Sequence, residues 1–420
     1  MKAVGIEAMN VSAGTAFLDV RKLSEHRKLD TTRFENLLMK EKTVALPCED
    51  PITFAVNAAK PIVDALSPEE RDRIEMVITC TESSFDFGKS MSTYCHSLLG
   101  LNRNCRLFEL KNACYSGAAG IQMAVNFVLS QASPGAKALV IATDISRFMV
   151  EEGGDALTAD WSFAEPSNGS GAVAMLISDQ PHIFQVDVGA NGYYGYEVMD
   201  TCRPTVHGDA GDSDLSLLSY LDCCENAFLE YKKRVPGADY VDTFSYVTYH
   251  CPFGGMVKGA HRNMMRKMVR ATKPQEIEDD FQRRVMPGVI YCQRVANIMG
   301  ATMALGIAST IDNGEFETPT RIGAFSYGSG CCSEFFSGVV RKESQQRLRK
   351  MQIKERLDRR TELTMEEYDQ LLVGSNAVKF GTRNVVLDTD FISRARTTMG
   401  EPVLFLKEIK EFHREYEWVG

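Results

Sequence analysis

Asn112-Ala-Cys-Tyr-Ser-Gly-Ala-Ala-Gly120 opens an uncharged run that continues to Gln131 and halts at Ser133-Pro134-Gly135. It reads as one buried helix, rich in small residues, with a stop signal behind it. On either side, Glu75-Met-Val-Ile-Thr-Cys-Thr81 and Ala136-Lys-Ala-Leu-Val-Ile-Ala-Thr143 read as strands. A third strand follows at Ser170-Gly-Ala-Val-Ala-Met-Leu-Ile177. Near-continuous apolar strands alternating with helices predict an α/β fold whose sheet is covered on both faces. The second half repeats the plan. Val241 to Tyr249 reads as a strand broken at Pro252, Val295 to Ile311 as a helix, and Arg321-Ile-Gly-Ala-Phe-Ser326 as a strand ending in a Gly/Ser turn. Ser116-Gly-Ala-Ala-Gly-Ile-Gln-Met-Ala124 parallels Met299-Gly-Ala-Thr-Met-Ala-Leu-Gly-Ile307. Two related halves, or two buried helices alike by coincidence, both explain that parallel.

The chain has 420 residues, 44% of them hydrophobic and 25% charged, which suits a globular protein of two or three units or one large α/β unit. A net charge of −9 argues against a nucleic-acid or membrane-surface binder. The uncharged stretch from Asn112 to Ala136 is too polar for a membrane span. Met1 to Arg21 carries Glu7 and no apolar run with a cleavage site, so no signal peptide is expected. Twelve cysteines without any C-x-x-C spacing point away from zinc and redox motifs. Small core thiols in a reducing cytoplasm are expected, with no metal. Residues 341–363 hold nine Lys or Arg against four acids, with Leu348, Met351, Ile353 and Leu357 as an apolar stripe. This reads as a surface helix with a solvated basic face, or as a docking site for an acidic partner. Thr364 followed by Glu366 and Glu367 starts a further helix.

Four places could carry chemistry. Cys114 opens the helix of residues 112–131, where free N–H groups favour a thiolate and can face an oxyanion. A structural thiol is the competing reading. Glu82 lies just past a buried strand end, where α/β sheets place catalytic groups and burial raises a carboxyl pKa; a solvated loop acid is the alternative. His250, in Thr248-Tyr-His-Cys-Pro-Phe-Gly-Gly-Met256, holds the counterpart position in the second half. There it could polarise a carbonyl or simply be a bonded core histidine. Ser326-Tyr-Gly-Ser-Gly330 lacks the Lys of a phosphate loop and stays open as an oxyanion turn.

Together these segments resemble the 3-hydroxy-3-methylglutaryl-thioester synthases of the thiolase superfamily over the whole chain. The motifs are Asn-Ala-Cys-Tyr at 112–115, Glu82, His250 before Pro252-Phe253, Asn297, and Ser-Tyr-Gly-Ser-Gly at 326–330; Asp212, Leu215, Ser216 and Tyr220 match a family spacing. The resemblance implies a homodimer with a five-layer αβαβα fold. Residues 1–179 would form an N-terminal half with Glu82 and Cys114. Residues 180–420 would form a C-terminal half with His250, Asn297, Ser326–Gly330 and extra helices at 341–375. It implies an acyltransferase whose Cys114 is acetylated and whose Glu82 takes a methyl proton. Amides of Cys114 and Ser329 would hold the enolate. His250 would bond the acceptor ketone, and Asn297 and Ser216 would sit on the substrate side.

One departure narrows the reading. Coenzyme A enzymes of mevalonate synthesis resemble one another in a Pro-Phe-x-Lys after the His, and here the stretch is Pro252-Phe-Gly-Gly255. The sequence therefore looks like the polyketide β-branching members. In these, acetyl donor and β-ketoacyl acceptor both ride on phosphopantetheine of acyl carrier proteins, with no permanent cofactor. Carrier proteins are acidic, so Arg33, Lys258, Arg262, Arg266 and Lys267 are candidate contacts. The alternative is a coenzyme A synthase of the mevalonate pathway. A ketoacyl-carrier-protein synthase is opposed by Glu82, a thiol-redox or metal protein by the missing C-x-x-C. A non-catalytic member is opposed by retention of the three polar residues.

Overall fold

The computed structural model describes residues 2–146, 164–205, 208–271, 273–374, 378–388 and 393–420. Its main strands are β1 (Gly5–Ser12), β2 (Ile74–Cys80), β3 (Arg106–Leu110), β4 (Lys137–Asp144), β5 (Gly171–Ser178), β6 (Phe184–Gly195), β7 (Thr201–Thr205), β8 (Gly208–Gly211), β9 (Tyr246–Tyr249), β10 (Thr320–Gly328) and β11 (Cys332–Val340). The helices that frame the site are α1 (Thr31–Leu37), α2 (Pro51–Asp64), α3 (Ser116–Ser130), α4 (Ser213–Arg234), α5 (Gly254–Met264) and α6 (Thr302–Asn313). Further on come α7 (Lys342–Arg349), α8 (Ile353–Arg359) and α9 (Met365–Gly374).

Among the described residues, nine strands form one sheet in the order β9-β10-β11-β6-β1-β5-β4-β2-β3. It divides into two half-sheets between β1 and β6, which pair only through Gly5–Gln185 and Ile6–Phe184. Each side repeats one pattern. β2 runs parallel to β4, which is antiparallel to β5, which is antiparallel to β1. Likewise β9 runs parallel to β10, which is antiparallel to β11, which is antiparallel to β6. The parallel between the two halves is thus one of topology.

The layers follow from burial. Every residue of β4 and β5 is buried, as a sheet covered on both faces requires. Helix α2 covers the outer face of the first half-sheet, and α4 that of the second. Helices α3 and α6 lie between, each against its own half-sheet and touching the other. The result is a five-layer αβαβα arrangement. The middle layer is thin because it must be: a Cβ on Gly117 would lie 2.1 Å from the Gly300 carbonyl, and one on Gly300 would lie 2.3 Å from Ser116 Oγ. The two glycines sit at matching places in Ala113-Cys-Tyr-Ser-Gly-Ala118 and Ala296-Asn-Ile-Met-Gly-Ala301.

Three readings of local structure need correction. The second-half strand spans only Tyr246–Tyr249, because the Asp239 carboxylate accepts from Val241 N and Asp242 N and turns the chain there. Both middle helices start later than their apolar patterns suggest. Left-handed Ala113 (φ 43°) precedes α3, and left-handed Ala296 (φ 71°) and Met299 (φ 48°) precede α6. Cys114 and Asn297 therefore occupy equivalent kinked lead-ins rather than first helical turns.

Residues 341–363 form two helices, not one, since Gln352 is left-handed (φ 51°). Leu348, Ile353 and Leu357 are buried as the stripe predicts. The cations are mostly engaged within the chain. Arg360 reaches Glu41, Arg356 reaches Glu401, Arg349 reaches Asp312 and Lys342 reaches Glu317. The basic face is exposed as expected, with Lys342, Arg347, Arg349, Lys350, Lys354 and Arg359 at the surface, and several of its cations also pair with acids of the body. Thr364 and Glu367 make the reciprocal capping bonds at the start of α9. The last residue expected in these helices, 375, lies outside the described residues.

Candidate active site

β2 ends at Cys80, and the turn behind it points Glu82 toward the lead-in of α3. Cys114 Sγ donates to Glu82 Oε1 at 3.3 Å. Both residues keep part of their surface open to solvent. Burial, then the Glu82 charge, pushes the Cys114 thiol well above its ordinary value. The geometry is that of a thiol held by a carboxylate.

The Glu82 turn is fastened from β4. Asp144 Oδ1 accepts from Glu82 N at 2.7 Å, Ser83 Oγ at 2.9 Å and Thr81 Oγ1 at 3.0 Å. Burial, with the Glu82 charge second, raises Asp144 to about 7. Asp144 escaped sequence reasoning. The signal was there, an acid closing a mostly apolar strand, the same feature that singled out Glu82.

The second half meets the first at this point. A Cβ on Gly328, at the end of β10, would lie 2.6 Å from Tyr115 N and 2.8 Å from the Asn112 carbonyl. The 326–330 turn, with Ser329 half-exposed, thus packs directly on the Cys114 lead-in. Glu334 adds a brace, accepting from Tyr115 Oη at 2.8 Å and from Asn191 Nδ2 at 3.1 Å. Asp200 fixes the turn from below. Its buried carboxylate accepts from Tyr327 Oη at 2.6 Å and Gly330 N at 2.8 Å.

His250 follows β9, with its N–H on the Phe325 carbonyl at 2.7 Å. The β9–β10 register sets Tyr249 beside Phe325, so His250 stands level with Ser326. Its own carbonyl accepts from Tyr220 Oη at 2.6 Å. Burial drives the imidazole down to about 3, so it is neutral at working pH. His250 Nδ1, Ser326 Oγ, Ser116 Oγ and Asp144 Oδ2 are all buried without a hydrogen-bond partner among the described residues. Folded proteins rarely leave such atoms unmade, and these four lie on the strand ends and lead-in that frame Cys114.

Asn297 is less available than a purely substrate-side residue. Its Oδ1 accepts from Thr302 Oγ1 at 2.8 Å and Met299 N at 3.0 Å, and its Nδ2 makes a long 3.4 Å contact to Asn168 Oδ1. Ser216 is half-buried one turn before Tyr220 on α4, the helix capped by Asp212. Arg33 is exposed on α1; Lys258 and Arg262 lie on α5, and Arg266 and Lys267 on the π-helical turn continuing it. Lys258 pairs with Glu278 at 2.8 Å and Lys267 pairs with Glu225. Among the described residues no group of three or more His, Cys, Asp or Glu could hold a metal, and no helix is long and apolar enough to cross a membrane. All twelve cysteines are free thiols.

Two topologically matched half-sheets, with a thiol and a carboxylate where their strand ends meet, define a thiolase-like acyltransferase. The chain belongs to the hydroxymethylglutaryl-coenzyme A synthase family, whose N-terminal model matches residues 1–181 and whose C-terminal model matches residues 260–418. It is 67% identical, over the full length of both chains, to the polyketide biosynthesis 3-hydroxy-3-methylglutaryl-ACP synthase PksG of Bacillus subtilis (strain 168). The hydroxymethylglutaryl-CoA synthase of Enterococcus faecalis is 33% identical, covering 88% of this chain and 91% of its own. Among solved structures, the curacin biosynthetic pathway HMG synthase in complex with apo donor-ACP superposes with a TM-score of 0.94 and 64% identity, covering 99% of this chain and 100% of that one.

Proposed function

We propose that this protein is a β-branching 3-hydroxy-3-methylglutaryl-type synthase of polyketide biosynthesis. It takes acetyl from an acetyl-acyl carrier protein and condenses it with the β-ketone of a chain on a second carrier protein, both carried on phosphopantetheine. The observation that carries the reading is the Cys114 Sγ–Glu82 Oε1 contact of 3.3 Å at the junction of the two halves. The likeness to PksG and to a curacin synthase seen with a donor carrier protein supports the choice of carrier-borne substrates.

The Cys114 sulfur attacks the acetyl thioester, and its proton leaves with the released phosphopantetheine thiol. Glu82, no longer bonded to a thiol, takes a proton from the acetyl methyl. Charge develops on the thioester oxygen, where the amides of Cys114 and Ser329 hold it. The enolate carbon then attacks the acceptor ketone. His250, kept neutral by burial, donates a hydrogen bond to that oxygen as it becomes an alkoxide. The proton held on Glu82 balances the one the alkoxide gains, and water frees the new carboxylate from Cys114. Asn297 and Ser216 orient the substrate arms. In this scheme residues 1–179 supply nucleophile and base, and residues 180–420 supply the ketone donor and the oxyanion turn.

The test is a comparison of donors. Acetyl-carrier protein should acetylate the enzyme at least about tenfold faster than acetyl-coenzyme A at equal concentration, a difference of about 1.4 kcal/mol. Mass spectrometry should find the acetyl on the peptide bearing Cys114. Equal use of both donors would favour the coenzyme A reading instead.

The enzyme works in the cytoplasm as a homodimer. The homodimer is compatible with β3, which like β9 ends the sheet with one side unpaired among the described residues, an edge that a second copy would cover. Light scattering should return twice the 46.7 kDa chain mass; a single-chain mass at working concentration excludes the dimer.

A further inference from the structure

An asparagine can meet a substrate with its oxygen or with its nitrogen, and the two ends recognise opposite groups. At Asn297 the chain itself makes the choice. Oδ1 accepts from Met299 N at 3.0 Å, and a backbone N–H can only donate. The same oxygen accepts from Thr302 Oγ1 at 2.8 Å. That hydroxyl is fixed in turn, because it accepts from Ile298 N at 2.8 Å and its side chain is fully buried. The carboxamide oxygen is therefore held toward the start of α6. The Nδ2 end is left with two N–H groups and one long contact, 3.4 Å to Asn168 Oδ1.

The backbone around Asn297 is pinned between the two halves. Its N–H donates to the Ser167 carbonyl at 2.9 Å, and its carbonyl accepts from Gly169 N at 2.8 Å. A Cβ on Gly169 would lie 2.0 Å from the Val295 carbonyl, so the two backbones touch. Gly300, three residues on, meets Ser116 and Gly117 just past Cys114. Left-handed Ala296 and Met299 flank this stretch, a conformation that persists only where bonds hold it. We propose that Thr302 is a positioning residue of the acyl site, whose hydroxyl fixes the Asn297 oxygen so that Asn297 presents N–H to the substrate. This rests on Asn297 lying on the substrate side. The group recognised is then a carbonyl or alkoxide oxygen of the acceptor chain, since a substrate N–H would find no acceptor there. Thr302 is buried and acts only through the amide.

The test is a double-mutant cycle in the full-length protein. Condensation of the acetyl-enzyme with acetoacetyl-carrier protein is measured in T302V, T302A, T302S, N297A and the doubles N297A/T302V and N297A/T302A. In T302V and T302A, kcat/KM should fall about tenfold, the worth of one well-placed hydrogen bond. T302S should stay within about threefold of the parent, because it keeps the hydroxyl. N297A should fall at least about tenfold. Added to N297A, either Thr302 change should alter the rate by less than about twofold, since the amide through which Thr302 acts is gone. A hydroxyl that only stabilised the fold would slow the doubles by the same factor as the singles, and that result overturns the proposal. So does a parental rate in both T302V and T302A, or a loss in T302S as large as theirs. T302V and T302A provide separate readings should one fold poorly. Failure of the underlying reading looks different: N297A would then condense at the parental rate, which removes Asn297 from the substrate and the role of Thr302 with it.

Discussion

Glu82→Gln protein mixed with acetyl-carrier protein acquires one acetyl group on the Cys114 peptide and then stalls. Condensation with a β-ketoacyl acceptor falls about 10²–10⁴-fold, the usual worth of a positioned general base. The two half-reactions separate because the carboxylate has different relations to them. To the thiol, Glu82 is an acceptor whose charge holds the proton on; its effect on Cys114 is to raise the thiol pKa. Removing that charge moves the pKa down, so at a given pH more thiolate is present in the variant. The alkylation midpoint of Cys114 should therefore move to lower pH. To the acetyl methyl, Glu82 is the base, and a glutamine cannot replace it. Mass spectrometry of the stalled acetyl-enzyme and product analysis check the two arms separately. Full condensation by Glu82→Gln would take the carboxylate out of carbon deprotonation.

Much of this site was legible in the sequence because each part sits where a local pattern breaks. Glu82 and His250 follow the last apolar residues of β2 and β9, and Cys114 and Asn297 precede runs of small residues. These breaks come from the chain itself. What escaped reading depends on contacts made across the fold. Asp144 carries the same strand-end signal as Glu82, but that it holds the Glu82 turn shows only in the fold. Arg203 had no local signal, since nothing near it in sequence shows that its Nη1 donates to the Glu82 carbonyl 121 positions away. The 341–363 segment reads correctly as an exposed basic face, but its ion-pair partners Glu41, Asp312, Glu317 and Glu401 are distant in the chain and leave no local signal. The lead-ins were misplaced because left-handed alanines leave no mark in a hydrophobic pattern.

The absent lysine after Phe253 invites a simple experiment, Gly255→Lys, with the hope of restoring coenzyme A use. The structure predicts a different result. A Cβ on Gly255 would lie 1.8 Å from the Asn36 carbonyl, and one on Gly254 would lie 2.8 Å from Leu38 Cβ. Helix α1 rests on the backbone of α5 at these two glycines. A backbone carbonyl cannot swing away as a side-chain end can, so α1 must move as a unit. Overpacking of this kind costs about 1–3 kcal/mol, and the thermal midpoint should fall accordingly. Arg33 rides on α1, and Arg262 and Arg266 on α5 and its continuation, so the shift also separates the proposed carrier-protein contacts. The expected outcome is an acetyl-carrier-protein rate lowered about tenfold, a free-energy loss near 1.4 kcal/mol, with no gain in acetyl-coenzyme A use. A rise in coenzyme A use with an unchanged melting point would show that the space for a lysine stem exists after all. If the loss appears as predicted, donor choice lies in how α1 seats on α5. Changing it then requires moving a helix, which a single added charge cannot do.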